Sequence, residues 1–278
     1  MTHSRAALIR SATAQLDKAG VDDPGRDARL LMRWASDLDG AGLATAMHDA
    51  PHSAQADRFA AAVVRRVRRE PLSHITGQRL FWDRAFHVTS DVLDPRPESE
   101  MLIAEALHRG PFQRILDIGT GSGCLLLTLL AEWPAAAGTG TDASSAAIEI
   151  ARKNADILDV ADRADLTETD WTDGVDGPFD LIVTNPPYIA EAEIPGLSPE
   201  VRLFEPRAAL TPGGDGLAAY HAIAPRTVEL LNPGGLVLFE IGPTQYDAVA
   251  AILASAGLSV RMLVPDLDQR PRVVVAQA

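Results

Sequence analysis

The feature that most constrains the fold is an alternation of short apolar runs with longer amphipathic stretches after about residue 92. The apolar runs cover 114–118, 179–184, 235–240 and 272–276, and helical periodicity separates them at 145–157 and 245–256. Strands that alternate with helices of this length form βαβ units, which build an open, largely parallel sheet. Ligands of such sheets bind beyond the carboxyl ends of the strands. The pattern therefore predicts an α/β domain with its functional residues at strand ends.

The rest of the chain predicts a second, smaller unit. A length of 278 residues indicates about two domains. Residues 1–75 have the apolar spacing of short amphipathic helices, and Asp23-Pro24 has the pattern of an N-cap followed by proline. Residues 76–92 are rich in aromatic and β-branched residues around a polar break. We expect a helical substrate-docking domain at 1–75, a β-hairpin linker at 76–92 and the α/β domain at 93–278.

One concentrated basic feature lies in the helical part. Arg65, Arg66, Arg68 and Arg69 cluster at the end of a helix. A solvated helix end is one interpretation, since positive side chains are favoured there by the helix dipole. A contact with RNA or an acidic partner is the other.

Net charge separates the two parts of the chain. The whole sequence has 25 basic and 38 acidic side chains, a formal charge of −13. Residues 1–92 contain 13 basic and 11 acidic side chains, whereas residues 93–278 contain 12 and 27. Because nucleic-acid affinity depends on a basic face that neutralises phosphates, we expect no direct nucleic-acid partner for the α/β domain.

Cysteine use and hydropathy indicate the compartment. The single cysteine, Cys124, excludes a disulfide scaffold and a cysteine-based zinc cluster, and it suits a reducing compartment. The N-terminus lacks a signal-peptide pattern, and no apolar run reaches the ~20 residues that a membrane-spanning helix needs. We expect a soluble cytoplasmic protein with no membrane partner and no metal.

A glycine-rich turn, 119–123, follows the apolar run 114–118. Glycines allow a ligand to approach the backbone closely, and the next helix begins with unpaired N–H groups. The spacing G-x-G-x-G matches neither the dinucleotide fingerprint nor a Walker loop, so nucleotide hydrolysis is disfavoured. A tight turn without a ligand is the alternative.

Acidic residues end the next two segments. Asp142 is placed to accept both ribose hydroxyls of an adenosine, although capping the following helix is an open alternative. Asp170 precedes Trp171. A carboxylate acceptor beside a flat indole ring suits the binding of an adenine ring. The alternative is that Trp171 is buried in the core, which is more common for tryptophan. The turn and these residues together predict a site for an adenosine without phosphates.

The most specific motif is Asn185-Pro186-Pro187-Tyr188, directly after the run 179–184. Prolines lack N–H groups, so the Pro186 carbonyl is presented without a neighbouring donor. Asn185 provides a carboxamide oxygen and Tyr188 an aromatic wall. Two adjacent hydrogen-bond acceptors match the two hydrogens of a planar –NH₂ group. The motif therefore predicts a site that binds an amino or amide nitrogen.

With these motifs the chain resembles the PrmC/HemK family of protein-glutamine N5-methyltransferases. The resemblance is carried by the segments 92–100, 119–123, 185–189, 204–210, 213–217 and 239–242. Asn-Pro-Pro-Tyr is shared with adenine and cytosine amino-methyltransferases, so this motif alone does not identify the family. The match becomes specific to the family through two further segments, Pro-Arg-Pro-Glu and Glu-Pro-Arg-Ala-Ala-Leu. Asp94 stands where the family often has an aliphatic residue, and Ser99 where it often has Thr.

The resemblance implies a Rossmann-like class I S-adenosylmethionine-dependent methyltransferase domain joined by a β-hairpin to a small N-terminal helical-bundle domain. It implies S-adenosyl-L-methionine as cofactor and S-adenosyl-L-homocysteine as product. The implied substrate is the side-chain nitrogen N5 of the Gly-Gly-Gln glutamine in class 1 peptide chain release factors. The acidity of 93–278 would then attract a basic, RNA-binding protein partner.

The candidate site residues follow from the motifs and the resemblance together. The catalytic candidates are Asn185, Pro186 and Tyr188. The cofactor-binding candidates are Asp117, Gly119, Thr120, Gly121, Ser122, Gly123, Asp142, Asp170, Trp171 and Asn185. The substrate-binding candidates are Asn185, Pro186, Pro187, Tyr188, Arg96, Glu98 and Glu205. For Arg96, Glu98 and Glu205 a surface ion pair is an equally open interpretation.

Three other functions remain as alternatives. One is glutamine methylation of a large-subunit ribosomal protein by a sister family with the same motif. Another is N6-adenine methylation of nucleic acid, which needs a flipped base and a basic track. The last is a non-catalytic adaptor, disfavoured because both chemical motifs are intact.

Overall fold

The computed structural model describes residues 3–278, so the first two positions of the predicted helical domain 1–75 lie outside the described residues. The helices are α1 (Arg5–Lys18), α2 (Pro24–Ser36), α3 (Gly40–Ala46), α4 (Ser53–Val67), α5 (Leu72–Thr76), α6 (Glu100–Arg109), α7 (Cys124–Glu132), α8 (Ser145–Ile157), α9 (Pro199–Phe204), α10 (Arg207–Leu210), α11 (Ala218–Leu230) and α12 (Tyr246–Ser255). The strands are β1 (Gln78–Phe81), β2 (Arg84–His87), β3 (Arg114–Ile118), β4 (Ala137–Asp142), β5 (Ala164–Glu168), β6 (Phe179–Thr184), β7 (Leu231–Glu240), β8 (Ser259–Pro265) and β9 (Pro271–Gln277).

The chain forms two compact units. The helical unit contains the chain up to Gly77 together with Ser198–Phe204, and the sheet unit contains Gln78–Leu197 and Glu205–Ala278. This division differs from the predicted limits at two places. The hairpin belongs to the sheet unit, and a short segment from the second half of the sequence belongs to the helical unit.

The helical unit is built on amphipathic helices, as the N-terminal spacing predicts. The Asp23 side chain accepts a hydrogen bond from the backbone N–H of Arg26, and Pro24 is the first residue of α2. The helix faces that bury Leu16, Leu31, Met32 and Phe59 meet in one apolar core. Burial of these faces provides most of the stability of helices this short.

The arginine cluster at the end of α4 is largely structural. Arg66 is buried and donates to Asp27 at 2.8 Å and to Glu200 at 2.9 Å. Arg69 donates to both carboxylate oxygens of Glu200, at 2.6 and 2.7 Å. Arg68 is exposed, and Arg65 is half-buried. The interpretation as a solvated helix end is therefore wrong for Arg66 and Arg69, whose bonds hold α9 in the helical unit.

The sheet unit contains the predicted, largely parallel sheet. Its strand order is β5-β4-β3-β6-β7-β9-β8, with β3 to β7 parallel and β9 antiparallel to both neighbours. The predicted runs 114–118 and 179–184 coincide with β3 and β6. From β3 the chain proceeds outward to β4 and β5 and then returns to β6 on the other side of β3. This reversal of strand order is where open α/β sheets bind ligands.

The hairpin β1–β2 packs as part of the sheet unit. Its strands are antiparallel, with Gln78 opposite His87. Phe81 and Phe86 are buried in edge-to-face contact, their ring centroids 6.1 Å apart, and share a core with Leu102 of α6. Burial of both rings explains why the hairpin belongs to this unit.

Among residues 3–278, no helix combines the length and the apolar character that crossing a membrane requires.

Candidate active site

A cavity of about 660 Å³ lies in the sheet unit, beyond the carboxyl ends of β3, β4 and β6. Predicted residues that line it are Arg96, Gly119, Thr120, Gly121, Ser122, Asp142, Asp170, Trp171, Asn185 and Pro187. Small-molecule sites in proteins have volumes of about 300–1,000 Å³. The cavity therefore brings ten of the candidate residues together at the expected position in the sheet.

The glycine turn after β3 exposes its backbone to the cavity. Gly119 and Gly121 have φ angles of +74° and +54°, which side-chain-bearing residues rarely adopt. A Cβ atom added to either would meet no atom within 4 Å. Gly123 differs, because an added Cβ would lie 2.6 Å from Leu127. The first two glycines thus border open space, and the third allows close packing.

Asp117 supports the turn from beneath. Its side chain is fully buried, and one carboxylate oxygen accepts bonds from the Thr120 hydroxyl at 2.7 Å and the Leu126 backbone N–H at 3.4 Å. Burial raises the pKa of Asp117 to about 7. Asp117 does not line the cavity, so the structure does not support the predicted contact with the cofactor. The carboxylate instead shapes the turn.

Asp142 joins the ends of β3 and β4. Its two oxygens accept bonds from the backbone N–H groups of Gly121 and Ser144, both at 2.9 Å. Ser144, not Asp142, is the N-cap of α8, because its hydroxyl accepts from the Ala147 N–H. The capping alternative for Asp142 is therefore wrong. Its carboxylate lies at the cavity with lone pairs left for a further donor.

Asp170 and Trp171 lie on the cavity wall after β5. The backbone of Trp171 has a φ of +49°, and its carbonyl accepts a bond from the Thr141 hydroxyl at 2.7 Å. Trp171 is partly buried and packs against the hydrophobic cluster that contains Tyr220 and Phe239. Trp171 therefore contacts both the hydrophobic core and the cavity.

These features fit S-adenosylmethionine. The open backbone at Gly119 and Gly121 accommodates close approach, and the carboxylate of Asp142 suits ribose hydroxyls. Among the cavity-lining residues in the described part of the chain, Arg96 is the one basic side chain. Such a lining suits an adenosine without phosphates better than a nucleotide.

Asn185 follows β6 and faces the cavity together with Pro187. Its side-chain NH₂ group donates to the Ser99 hydroxyl at 3.1 Å. Within residues 3–278 its carboxamide oxygen has no hydrogen-bond partner. Pro186 is buried, and its carbonyl as an acceptor for substrate remains a prediction.

Tyr188 has a different role from the predicted aromatic wall. It does not line the cavity, and its hydroxyl donates to Glu240 at 3.4 Å. Burial raises the pKa of Tyr188 above its usual range, so the phenol keeps its proton. The Tyr188 carbonyl accepts a bond from the Gln245 side chain at 2.9 Å. Tyr188 therefore anchors the motif to the end of β7.

The proline-rich loop, residues 94–98, brings Arg96 to the cavity. One guanidinium nitrogen of Arg96 donates to both carboxylate oxygens of Glu205, at 2.6 and 2.7 Å. The Glu205 side chain is only 1% exposed, and burial raises its pKa to about 7. Such burial argues against the direct substrate contact predicted for Glu205, which orients Arg96 instead. Glu98 is exposed outside the cavity lining, and its contact with substrate remains a prediction.

Two buried residues connected to Asn185 by hydrogen bonds are not among the candidates that the sequence predicts. Glu240 is 1% exposed, and Ser99, which bridges it to Asn185, is 2% exposed. The signal for Glu240 was a carboxylate at a strand end in Phe239-Glu-Ile-Gly242. For Ser99 the sequence shows only a departure from the residue that the family often has, and its contact with Asn185 becomes visible in the structure.

Two family profiles match the chain. The profile described as "PrmC N-terminal domain" matches residues 7–77, and "Methyltransferase small domain" matches residues 91–219. In solved structures, the fold resembles a methyltransferase from Pyrococcus furiosus with a TM-score of 0.54 at 18% identity, over 71% of this chain and 90% of that one. The hMettl16 catalytic domain in complex with MAT2A 3'UTR hairpin 6 gives a TM-score of 0.57 at 17% identity, over 80% and 81%. These confirm the predicted Rossmann-like methyltransferase fold.

Two curated relatives are similar over nearly their whole length. "Release factor glutamine methyltransferase" from Cereibacter sphaeroides is 50% identical over 98% of this chain and 98% of the relative. The protein of the same name from Caulobacter vibrioides is 44% identical over 96% and 95%. The protein is an enzyme, a methyltransferase that uses S-adenosylmethionine. It belongs to the release factor glutamine methyltransferase family.

Proposed function

We propose that the protein methylates the side-chain nitrogen N5 of the Gly-Gly-Gln glutamine in class 1 peptide chain release factors. The observation that carries the proposal is Asn185 at the cavity, held through its NH₂ group so that its oxygen is left for a substrate. The substrate class comes from the relatives, whose names specify release factor and glutamine.

Asn185 and Pro186 act on a weak nucleophile. An amide nitrogen attacks poorly because its lone pair is delocalised into the carbonyl. Bound S-adenosylmethionine supplies a methyl group on positively charged sulfur. The Asn185 oxygen and the Pro186 carbonyl accept hydrogen bonds from the two N–H groups of the substrate amide, which increases electron density on nitrogen and aims it at the methyl carbon.

No strong general base is required at the cavity. As the N–C bond forms and the C–S bond breaks, the amide nitrogen becomes positively charged and loses a proton readily to water. The carboxyl groups whose pKa values are raised to about 7, Asp117, Glu205 and Glu240, do not line the cavity. Their position outside the cavity supports a mechanism that works by orientation and hydrogen bonding.

The partner is recognised beyond the reacting glutamine. Residues 1–75 form the docking domain for a distant part of the release factor, since the small amide pocket provides little specificity by itself. The 27 acidic against 12 basic side chains of residues 93–278 favour a basic protein and disfavour direct binding of nucleic acid.

Methyl-labelled cofactor tests the proposal. The protein is incubated separately with a release factor, ribosomal subunits and DNA, and mass spectrometry locates the label. We expect label on the glutamine of the Gly-Gly-Gln motif and none on a release factor in which that residue is alanine. The Asn185→Ala variant should lose about 100-fold or more in kcat while it still binds the cofactor. Label on DNA, ribosomal RNA or a ribosomal protein instead of the release factor contradicts the proposal.

A further inference from the structure

Ser99 occupies a helix N-cap position without capping the helix. It directly precedes α6, and an N-cap serine ordinarily accepts a bond from a backbone N–H two or three residues further along. The Ser99 side chain makes no such bond, and the residue is 2% exposed. Its hydroxyl group is therefore committed to other partners.

Those partners are two residues at the ends of neighbouring strands. The Ser99 hydroxyl donates to Oε2 of Glu240 at 2.6 Å. It also accepts from Nδ2 of Asn185 at 3.1 Å. Glu240 ends β7, and Asn185 directly follows β6. A single buried hydroxyl thus connects a carboxylate to the asparagine of the Asn-Pro-Pro-Tyr motif.

The direction of these bonds depends on the charge of Glu240. An ionised carboxylate only accepts hydrogen bonds, so the one proton of the Ser99 hydroxyl points to Glu240. Toward Asn185 the Ser99 oxygen can then only accept. The NH₂ end of the carboxamide satisfies that requirement and the oxygen end does not. Because the two ends have nearly the same shape, packing alone would not distinguish them.

We propose that Ser99 is a positioning residue, which with Glu240 sets the orientation of the Asn185 carboxamide so that its oxygen faces the substrate amide. This inference rests on the proposed function, in which that oxygen accepts a hydrogen bond from the glutamine side chain. A reversed carboxamide would present an NH₂ group to the substrate NH₂ group, and no hydrogen bond could form between them.

Glu240 is held from several sides. The Tyr188 hydroxyl donates to its other oxygen, Oε1, at 3.4 Å, and the Tyr220 hydroxyl donates to its backbone carbonyl at 2.9 Å. The other ionisable groups that interact with it are Arg272, Glu98 and Cys124. Of these charges Arg272 favours the ionised form and Glu98 opposes it. The carboxylate is thus fixed on both oxygens.

Protonation of Glu240 would reverse the direction of the hydrogen bonds that connect Glu240, Ser99 and Asn185. Burial raises the pKa of Glu240 to about 7, against the opposing effects of Ser99 and Arg272. A neutral carboxyl group can donate to Ser99, which frees the serine proton to point at Asn185 and favours the reversed carboxamide. We therefore expect kcat to fall on the acid side of about pH 7.

Four variants test the proposal against a purely structural role for the serine. Ser99→Ala should lower kcat about tenfold or more, with KM for the release factor and affinity for S-adenosylmethionine changed less than about threefold. Ser99→Thr should restore most of the lost turnover because it keeps the hydroxyl. Glu240→Gln resembles the neutral carboxyl, so its kcat at pH 8 should approach that of the wild type at pH 6. Ser255→Ala is the matched control, since that hydroxyl bonds only to its own helix.

The fall of kcat at acid pH is a measurement that a purely structural role of Ser99 would not change. Residual activity of Ser99→Ala should depend less on pH between 6 and 8 than wild-type activity does. Melting temperatures of all variants are measured, so that loss of fold is separated from loss of turnover.

Three outcomes overturn the inference: unchanged kcat in Ser99→Ala, a loss confined to KM, or a folded Ser99→Thr that is as slow as Ser99→Ala. If wild-type protein labels something other than a glutamine amide, the proposed function fails instead.

Discussion

The carboxylate of Asp142 accepts a hydrogen bond from the backbone N–H of Gly121 at 2.9 Å. This bond connects the end of β4 to the glycine turn that follows β3. The other carboxylate oxygen holds the Ser144 N–H at the start of α8. One side chain thus joins the glycine turn to the start of α8 and presents its carboxyl group to the cavity.

We expect Asp142→Ala to weaken S-adenosylmethionine binding by about tenfold or more, because bonds to charged groups are worth about 1.5–3 kcal/mol. Isothermal titration calorimetry with S-adenosylmethionine measures the change. Asp156→Ala removes an exposed carboxylate from α8 and should leave the affinity unchanged. Equal affinities of Asp142→Ala and the control would show that Asp142 does not contact the cofactor.

Arg96→Ala should raise KM for the release factor severalfold and change cofactor affinity little. The reason is that Glu205 holds Arg96 at the cavity through two bonds, leaving other guanidinium N–H groups for the substrate peptide. Initial rates at varied release factor concentration give KM. Arg226→Ala, at an exposed ion pair with Glu229, serves as control. An unchanged KM in Arg96→Ala would leave Arg96 with a structural role only.

The Asp117→Asn variant should become more stable relative to the wild type as pH rises. The folded-state pKa of Asp117 is raised from 3.8 to about 7, so between these values the folded protein keeps a proton that the unfolded chain has lost. Stability of the wild type therefore falls as pH increases through this window. We expect the melting temperature of the variant minus that of the wild type to increase from pH 4.5 to pH 8. A constant or falling difference would mean that Asp117 is ionised at neutral pH.

Arg66→Met should lower the free energy of unfolding by about 3 kcal/mol, because it leaves the buried carboxylate of Asp27 without its partner and removes one of the two arginines that pair with Glu200. Urea unfolding followed by circular dichroism measures the loss. The exposed Arg68 of the same cluster provides the control. Arg68→Met should change stability by less than about 0.5 kcal/mol. Similar losses in both variants would show that the bonds of Arg66 contribute nothing specific.

Association with the release factor should weaken as salt increases. Residues 93–278 carry 27 acidic and 12 basic side chains, so a basic partner is attracted at long range. Exposed charges are screened over about 10 Å at 0.1 M salt and about 3 Å at 1 M. Dissociation constants measured by calorimetry at increasing sodium chloride test this. A constant affinity would mean that contacts other than charge select the partner.

Local sequence was sufficient to predict the main helices and strands and many of the residues that line the cavity. The runs 114–118 and 179–184 became β3 and β6, and the hairpin formed within 76–92 as predicted. Strand and helix periods, proline and glycine act over a few neighbouring residues, so they can be recognised without the rest of the chain. For the same reason the turn 119–123 and Asn185 were predicted at strand ends.

Only the tertiary structure decided how the side chains between these elements are paired. Ser99 and Glu240 are 141 positions apart, and Arg66 and Glu200 are 134 apart. Whether a carboxylate is buried, and in which direction a hydroxyl donates, depends on partners brought from distant strands and helices. The sequence by itself therefore determined that Asn185 follows a strand end, and the bonds of Ser99 to Glu240 and Asn185, made across distant parts of the chain, decided which end of the Asn185 carboxamide is held.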